Sequence, residues 1–292
     1  MKKILFICIQ ILLFFRVTSE TYPFQNNEYV YSVYYSDFQN PGFVFSFSDN
    51  IFSIDIPEDD EWKIEEGFFI KEKRSKNYIL EKKSDFLYLI VDEAKFLVLY
   101  YEDLICILVD CSDYTTYCGV KKDSRYIKLS KSNRLRDVWC GIEDIHSDGQ
   151  INTSSFLQEK LNGEVINYDG RNKYMWQIHF PWCEGVYGDG KGEWIRKSFG
   201  HYGDKIVLLN GYVDPNHPDY FYKNGRIKDL KISTESNCFY YTLEDSPQLQ
   251  VIDINNEKIK DVKLTIESVY RGKKYRDTAL SFFCLLVPVP KR

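Results

Sequence analysis

From Phe43 to Asp110 the chain repeats one pattern, in which short apolar runs are parted by a few charged or small residues. Phe43-Val44-Phe45-Ser46-Phe47-Ser48 and Phe52-Ser53-Ile54-Asp55-Ile56 alternate apolar with polar on either side of Asp49-Asn50, which predicts a hairpin with one face buried. The runs at 68–73, 78–82, 86–91, 96–101 and 104–110 follow, separated by turns such as Arg74-Ser75-Lys76-Asn77 and Asp92-Glu93-Ala94-Lys95. A parallel crossover needs about a dozen residues or more, so these gaps enforce antiparallel neighbours. Residues from about Tyr29 to Val120 therefore predict an antiparallel β meander closing into a small barrel or sandwich. No recognisable site falls within it, and a structural or docking role is its first reading. Composition points the same way, since 23 Tyr and 20 Phe against 2 Met tilt the balance toward β structure. The expected fold class is all-β, and 292 residues allow one large domain or two of ordinary size.

The first nineteen residues read as a signal peptide. Lys2 and Lys3 precede an apolar run from Ile4 to Phe15, and Val17-Thr18-Ser19 offers small residues for cleavage before Glu20. The run is short for a bilayer span. Export to the periplasm, the cell surface or the medium follows as an expectation. Cleavage would remove Lys2, Lys3 and Arg16 and take the formal charge from −5 to −8. Such a chain lacks the basic face that nucleic acid or an anionic membrane requires. Seven cysteines would remain, an odd number, with disulfides expected among Cys106, Cys111, Cys118 and Cys140. No zinc spacing is present among Cys and His.

A β-rich domain of unassigned role is expected over 20–140, a linker over 141–153, a second domain over 154–288 and a tail over 289–292. Asp144, His146, Asp148 and Gly149 imitate the start of a calcium loop, but Ser155 stands where the bidentate glutamate belongs, so a linker is the preferred reading. Asn152-Thr153-Ser154 is a formal glycosylation sequon.

In the second domain Gly185, Gly188, Gly190 and Gly192 crowd between Trp182 and Trp194, predicting a shaped loop that feeds a strand. Seven strands are expected, over 193–199, 205–210, 227–233, 238–243, 250–254, 262–269 and 279–287. Sugar rings stack on aromatic faces, and their hydroxyls need acceptors and forked donors. Trp182, Glu184, Tyr187, Asp189, Tyr212, Asn224 and Arg226 supply that mixture and form the candidate ligand-binding set. Trp182 or Tyr187 would be the stacking platform, Glu184 and Asp189 the acceptors, and Arg226 the fork. The competing reading places Trp182 in the core and has Glu184 and Glu193 capping loop amides or pairing with Arg226.

Five motifs stand here in order: Ser154-Ser155-Phe156-Leu157; Trp182-x-Glu184-Gly185 with its glycines through Glu193; Asn210-Gly211-Tyr212; Asn224-x-Arg226-x-Lys228; and Val269-Tyr270-x-Gly272-x-Lys274-Tyr275-x-Asp277-Thr278-Ala279. Together they resemble the discoidin-like (F5/8 type C-like) translocation or glycan-binding domain of secreted bacterial NAD glycohydrolases, over about Asp148 to Val287. The resemblance implies a galactose-binding-like jelly-roll β-sandwich without catalysis of its own. A structural calcium in the glycine-rich loop is an open expectation of that superfamily; no other cofactor is implied. Nothing in the chain resembles the NAD-cleaving domain of those toxins.

Enzymatic motifs are missing from the sequence. The glycine run lacks the strand, helix and spacing of a dinucleotide fingerprint, and no G-x-S-x-G or H-E-x-x-H occurs. Glu184 with Glu193 is the one carboxylate pair that suggests a glycosidase. The expected function is an exported, non-catalytic glycan-binding protein, with a glycan or glycoconjugate as partner. The alternatives are a protein-contacting or translocation module that meets another envelope or secreted protein, and then a hydrolase.

Overall fold

The computed structural model describes residues 21–31, 43–63, 67–108, 116–128, 139–140, 142–143, 150–161, 163–170, 181–254 and 258–288. The leader at 1–19, Cys111, the calcium-like stretch from Asp144 to Gly149 and the tail lie outside these residues. Among the described residues the regular elements are all β strands apart from one short helix.

Eight antiparallel strands form the first unit: β1 (Glu28–Tyr31), β2 (Phe43–Ser48), β3 (Ile51–Lys63), β4 (Gly67–Lys83), β5 (Phe86–Val91), β6 (Ala94–Tyr101), β7 (Leu104–Leu108) and β8 (Thr116–Lys121). Pairing of Tyr29 with Lys121 and Val30 with Val120 closes them into a barrel. Successive side chains along a strand point to opposite faces. One parity fills the barrel with Tyr29, Phe45, Phe47, Tyr78, Leu87, Leu89, Val98, Ile105 and Ile107, and Phe24 packs among them. Gly119 is compulsory here, because a Cβ would sit 2.6 Å from the Phe45 ring.

The polar run Arg74 to Asn77, expected as a turn, is instead the middle of β4. Ser75 faces Ser53 across the ladder, and their hydroxyls meet at 2.8 Å, so a polar segment that finds cross-strand partners stays extended. Cys106 and Cys118 stand opposite each other on β7 and β8 and form a disulfide.

Two small ladders and the sandwich follow. β9 (Ile127–Lys128) pairs with β10 (Trp139–Cys140), and β13 (Leu157–Leu161) with β14 (Glu164–Tyr168) as a hairpin. β11 (Ile142–Glu143) and β12 (Ile151–Thr153) come from the stretch expected as a linker, yet they pair with sandwich strands. Ladder bonding to strands far along the chain outweighs the local polar composition there. The sandwich itself comprises β15 (Trp182–Cys183), β16 (Trp194–Gly203), β17 (Lys205–Asn210), β18 (Gly225–Ser233), β19 (Cys238–Thr242), β20 (Leu249–Asp253), β21 (Ile259–Tyr270) and β22 (Thr278–Leu286), with α1 (Tyr220–Lys223) between β17 and β18. Its two layers run β12-β16-β21-β18-β19 and β22-β17-β20. They enclose a core of Trp182, Ile195, Phe199, Leu208, Leu230, Leu264, Phe283 and Leu285.

The outward parity of β17, β20 and β22 is also apolar, which a free sandwich would not tolerate. Val207, Leu209, Leu249, Val251, Phe282, Cys284 and Leu286 bury against Val30, Val44, Leu97, Leu99, Leu104 and Cys106 from the outside of the barrel. Burial of each large aliphatic side chain stabilises by about 1.5–3 kcal/mol. The contact is therefore of core type, unlike the more polar and separable interfaces usual between domains. Its margin is pinned by hydrogen bonds: Gln248 to the Val98 carbonyl and the Tyr100 amide, Tyr222 Oη to Asp85 at 2.5 Å, and Tyr126 Oη to Asp204. Barrel and sandwich form one folded body.

A candidate recognition surface at the loop end of the sandwich

Three connections, those between β15 and β16, β17 and β18, and β21 and β22, meet at one end of the sandwich beside the end of β14. The glycine-rich connection between β15 and β16 is organised around a buried carboxylate. Glu184 has no exposed surface, and its two oxygens accept from the amides of Val186 (2.9 Å) and Thr278 (3.1 Å). Burial raises the Glu184 pKa above its ordinary value, while those two amides pull the other way. Gly190 adopts φ +69°, and a Cβ there would lie 2.4 Å from Glu184 Cγ. The glycines thus let the backbone wrap a carboxylate inside the loop.

The loop is tied down by the two serines of the first motif. Ser154 and Ser155 both donate to Glu193 Oε2 (2.6 and 2.5 Å), Ser155 Oγ accepts from the Gly185 amide, and the Ser155 carbonyl accepts from Trp182 Nε1. Trp182 is 1% exposed and belongs to the sandwich core, because β15 pairs with β22 and turns the indole inward. Glu184 and Glu193 are both occupied by these internal bonds, so the pair offers no opposed carboxyls across an open cleft.

Arg226 is equally enclosed. Its fork meets Asp245 (Nε to Oδ1 2.9 Å, an Nη to Oδ2 2.7 Å), and the other Nη donates to the carbonyls of Asn224 and Arg271. Asn224 ends α1 and returns its side-chain amide to the Tyr220 carbonyl. Gly211, at φ +78°, lets the chain pass beneath; a Cβ would lie 2.7 Å from Arg226 Cγ and 2.8 Å from the Phe221 ring. Ser281 holds the same turn, donating to the Gly211 carbonyl and accepting from the Val213 amide.

The structure thus divides the candidate set. Trp182, Glu184, Asn224 and Arg226 are buried and bonded internally, which makes them the frame of the loop end. Tyr187 is exposed, Asp189 is part-exposed, and Tyr212 is half-buried against the Tyr168 cluster. Tyr187 is 100% exposed, and Asp189 reaches Arg271 at 3.6 Å while its carbonyl accepts from Thr278 Oγ1.

Tyr212 belongs to a ladder of rings that the sequence reading did not assemble. Tyr168 meets Tyr212 at 6.2 Å, Tyr212 meets Tyr220 at 5.2 Å, and His217 stacks on Tyr220 at 4.8 Å and 11°. Asp214 shapes the turn by accepting from the amides of Asn216 and His217 and facing His217 Nδ1 at 3.4 Å. Burial pushes the Tyr168 phenol up to about 12, with the Glu159 carboxylate adding to it, and burial followed by neighbouring Tyr168 raises Tyr212 still further. Both therefore remain neutral hydroxyls at physiological pH. The usable signals in the sequence were the run Asp219-Tyr220-Phe221-Tyr222 and the spacing Asp214-x-x-His217. Among the described residues, no three His, Cys, Asp or Glu side chains gather to hold a metal ion.

Fold and geometry define a discoidin-like jelly-roll β-sandwich with an aromatic surface at its loop end. Residues 145–284 match the family described as the NAD glycohydrolase translocation F5/8 type C domain. Solved structures similar to the chain include the CBM32-5 module of CpGH89 from Clostridium perfringens in complex with GalNAc-β-1,3-galactose (15% identity, 50% of this chain and 99% of that one, TM-score 0.36). An F5/8 type C domain from Bacteroides fragilis (9% identity, 51% and 99% covered, TM-score 0.35) is another. A third is the lectin domain of lectinolysin complexed with Lewis b antigen (14% identity, 49% and 94% covered, TM-score 0.30). No match is found among curated proteins.

Proposed function

We propose that the chain is an exported, non-catalytic recognition protein whose sandwich binds glycans at the loop end. The observation that carries this reading is the ring ladder from Tyr168 through Tyr212 and Tyr220 to His217, set in the same loop cluster as fully exposed Tyr187. The ring faces of Tyr187, Tyr220 and His217 match the apolar face of a sugar, while Asp189 and Arg271 supply acceptors and donors for its hydroxyls. The buried frame around Glu184 and Arg226 holds these groups in place before a ligand arrives, which lowers the ordering cost of binding. In this reading Tyr187, Asp189 and Tyr212 touch the ligand, joined by Tyr220 and His217.

The test is a glycan array probed with the full chain lacking residues 1–19. Binding to a defined glycan set, reduced at least tenfold by Tyr220→Ala or Tyr187→Ala in protein with an unchanged melt, is expected. Silence across the array from folded protein would overturn the reading in favour of a protein-contacting translocation module. That second reading is favoured by the apolar side chains Val186, Leu161 and Val165, which stand exposed beside Tyr187 or at the tip of the β13–β14 hairpin. Turnover of NAD or aryl glycosides by the same preparation would refute the absence of catalysis.

A further inference from the structure

A cleft of about 200 Å³ opens at the opposite end of the sandwich, along the seam with the barrel. Its walls come from the β6–β7 turn (Tyr101, Glu102, Asp103), the segment after β8 (Arg125, Tyr126), the first residue of β17 (Lys205) and the last of β20 (Asp253). It is thus distant from the ring ladder, which sits where β17 ends and β22 begins. The cleft has room for several waters or one small organic molecule.

The charges in the cleft are unevenly spent. Arg125 pairs with Asp204 at 3.0 Å and donates to Tyr126 Oη, while Asp103 accepts from Ser124 Oγ. The Glu102 carboxylate and the Lys205 ammonium make no hydrogen bond or ion pair with the described residues. Glu102 is held at φ +41°, a left-handed conformation uncommon for a non-glycine residue, at the tip of its turn. Tyr101 and Tyr126 contribute apolar ring surface, and burial raises the pKa of both phenols. An aromatic wall with a carboxylate at one side suits an ammonium group, which gains from both the ring face and the opposite charge. Lys205, in the same lining, suits a carboxylate.

We propose that this seam binds a small zwitterion of free amino-acid size, its carboxylate on Lys205 and its ammonium between Glu102, Asp253 and the Tyr101 ring. Two charges of opposite sign on one compact molecule satisfy both uncommitted side chains, which a neutral sugar or a simple anion does not. Because barrel and sandwich each supply one of the two charged contacts, occupancy bridges the two units. The site shares no residue with the loop end, so its failure and that of the glycan reading are separable.

The experiment is calorimetric titration and thermal melting of the full chain without residues 1–19, using each of the twenty free amino acids at millimolar concentration. At least one is expected to bind and raise the melting temperature, as any ligand selective for the folded state must. Its α-amide and its N-acetyl derivative, each lacking one charge, should bind at least tenfold more weakly. Lys205→Met and Glu102→Gln should each weaken it at least tenfold, while Tyr187→Ala leaves it unchanged. No heat and no melting shift with any of the twenty would overturn the proposal. So would binding that survives both cleft substitutions.

Discussion

Replacing Arg226 by alanine separates a frame residue from a ligand contact. The substitution removes a two-pronged ion pair to Asp245, two bonds to the carbonyls of Asn224 and Arg271, and a guanidinium 5.3 Å from the Phe221 ring. Hydrogen bonds to charged groups contribute about 1.5–3 kcal/mol each and do not add in full. Asp245 is 38% exposed and can return to water, so its share is discounted for screening. The two carbonyls have no such freedom, and the aliphatic stem also leaves its packing against Gly211. The net cost comes to about 3 kcal/mol, within the range for breaking a buried charge pair. At roughly 2–4 °C per kcal/mol for a chain of this size, the melt should fall by about 6–12 °C. Arg226→Lys keeps the charge and loses the fork, and should lie between the two. Thermal and urea unfolding followed by circular dichroism read the effect, with Asp245→Asn closing a double-mutant cycle. A melt for Arg226→Ala within about 1 °C of the parent would refute this account of Arg226. Loss of glycan binding by Arg226→Lys at an unchanged melt would return the residue to the ligand.

Gly190→Ala should cost about 2–4 kcal/mol, because it combines a left-handed backbone with a clash against Glu184, whereas Gly192→Ala, at φ +91° with open space around its Cβ, bears only the backbone part; urea unfolding of both gives the difference. Glu184 has a pKa raised above the ordinary 4.5, so the folded state retains its proton longer than the unfolded chain and loses relative stability as pH climbs from 4.5 through the folded value. Unfolding of the parent and Glu184→Gln at pH 4, 5.5 and 7 should therefore show the parent's advantage shrinking upward; a constant or widening gap contradicts the assignment. Removal of the Cys106–Cys118 bridge by double serine substitution opens a loop of separation 12 and should cost about 2–3 kcal/mol by loop entropy, read by the same melt. A fragment starting at residue 145 exposes Val207, Leu209, Phe282 and Leu286 and should aggregate or bind a hydrophobic dye, where the full chain does not.

The strands of the sandwich were legible because each is an apolar-rich run, alternating or continuous, bounded by turn residues; 205–210 is identical in sequence reading and structure, and 227–233 differs only at its start. In sequence the β4 strand reads as two runs parted by the polar Arg74 to Asn77, while in the fold its partner β3 supplies what that segment lacks. The candidate site was legible as a neighbourhood and less so as a set of orientations. Trp182 and Glu184 stand in the loop that the sequence marks, yet which way they face depends on β15 pairing with a strand nearly one hundred residues later. The ladder joins Tyr168 to Tyr212, Tyr220 and His217 across the fold, and nothing local places Tyr168 beside the others. The apolar outer parity of β17 and β22 was visible as continuous hydrophobic runs, which are the mark of a strand covered on both faces; only the structure shows that the cover is the barrel.

Three consecutive side chains of α1 point to three different neighbours. Tyr220 stands in the ring ladder, Phe221 is sealed in the cluster shared with the barrel, and Tyr222 reaches Asp85 on the barrel hairpin. A single helical turn therefore bolts the prospective ligand platform to the first half of the chain. Alterations around Phe86 or Asp85 would then reach Tyr220 through this turn, and under the glycan-binding proposal would be felt there as altered affinity.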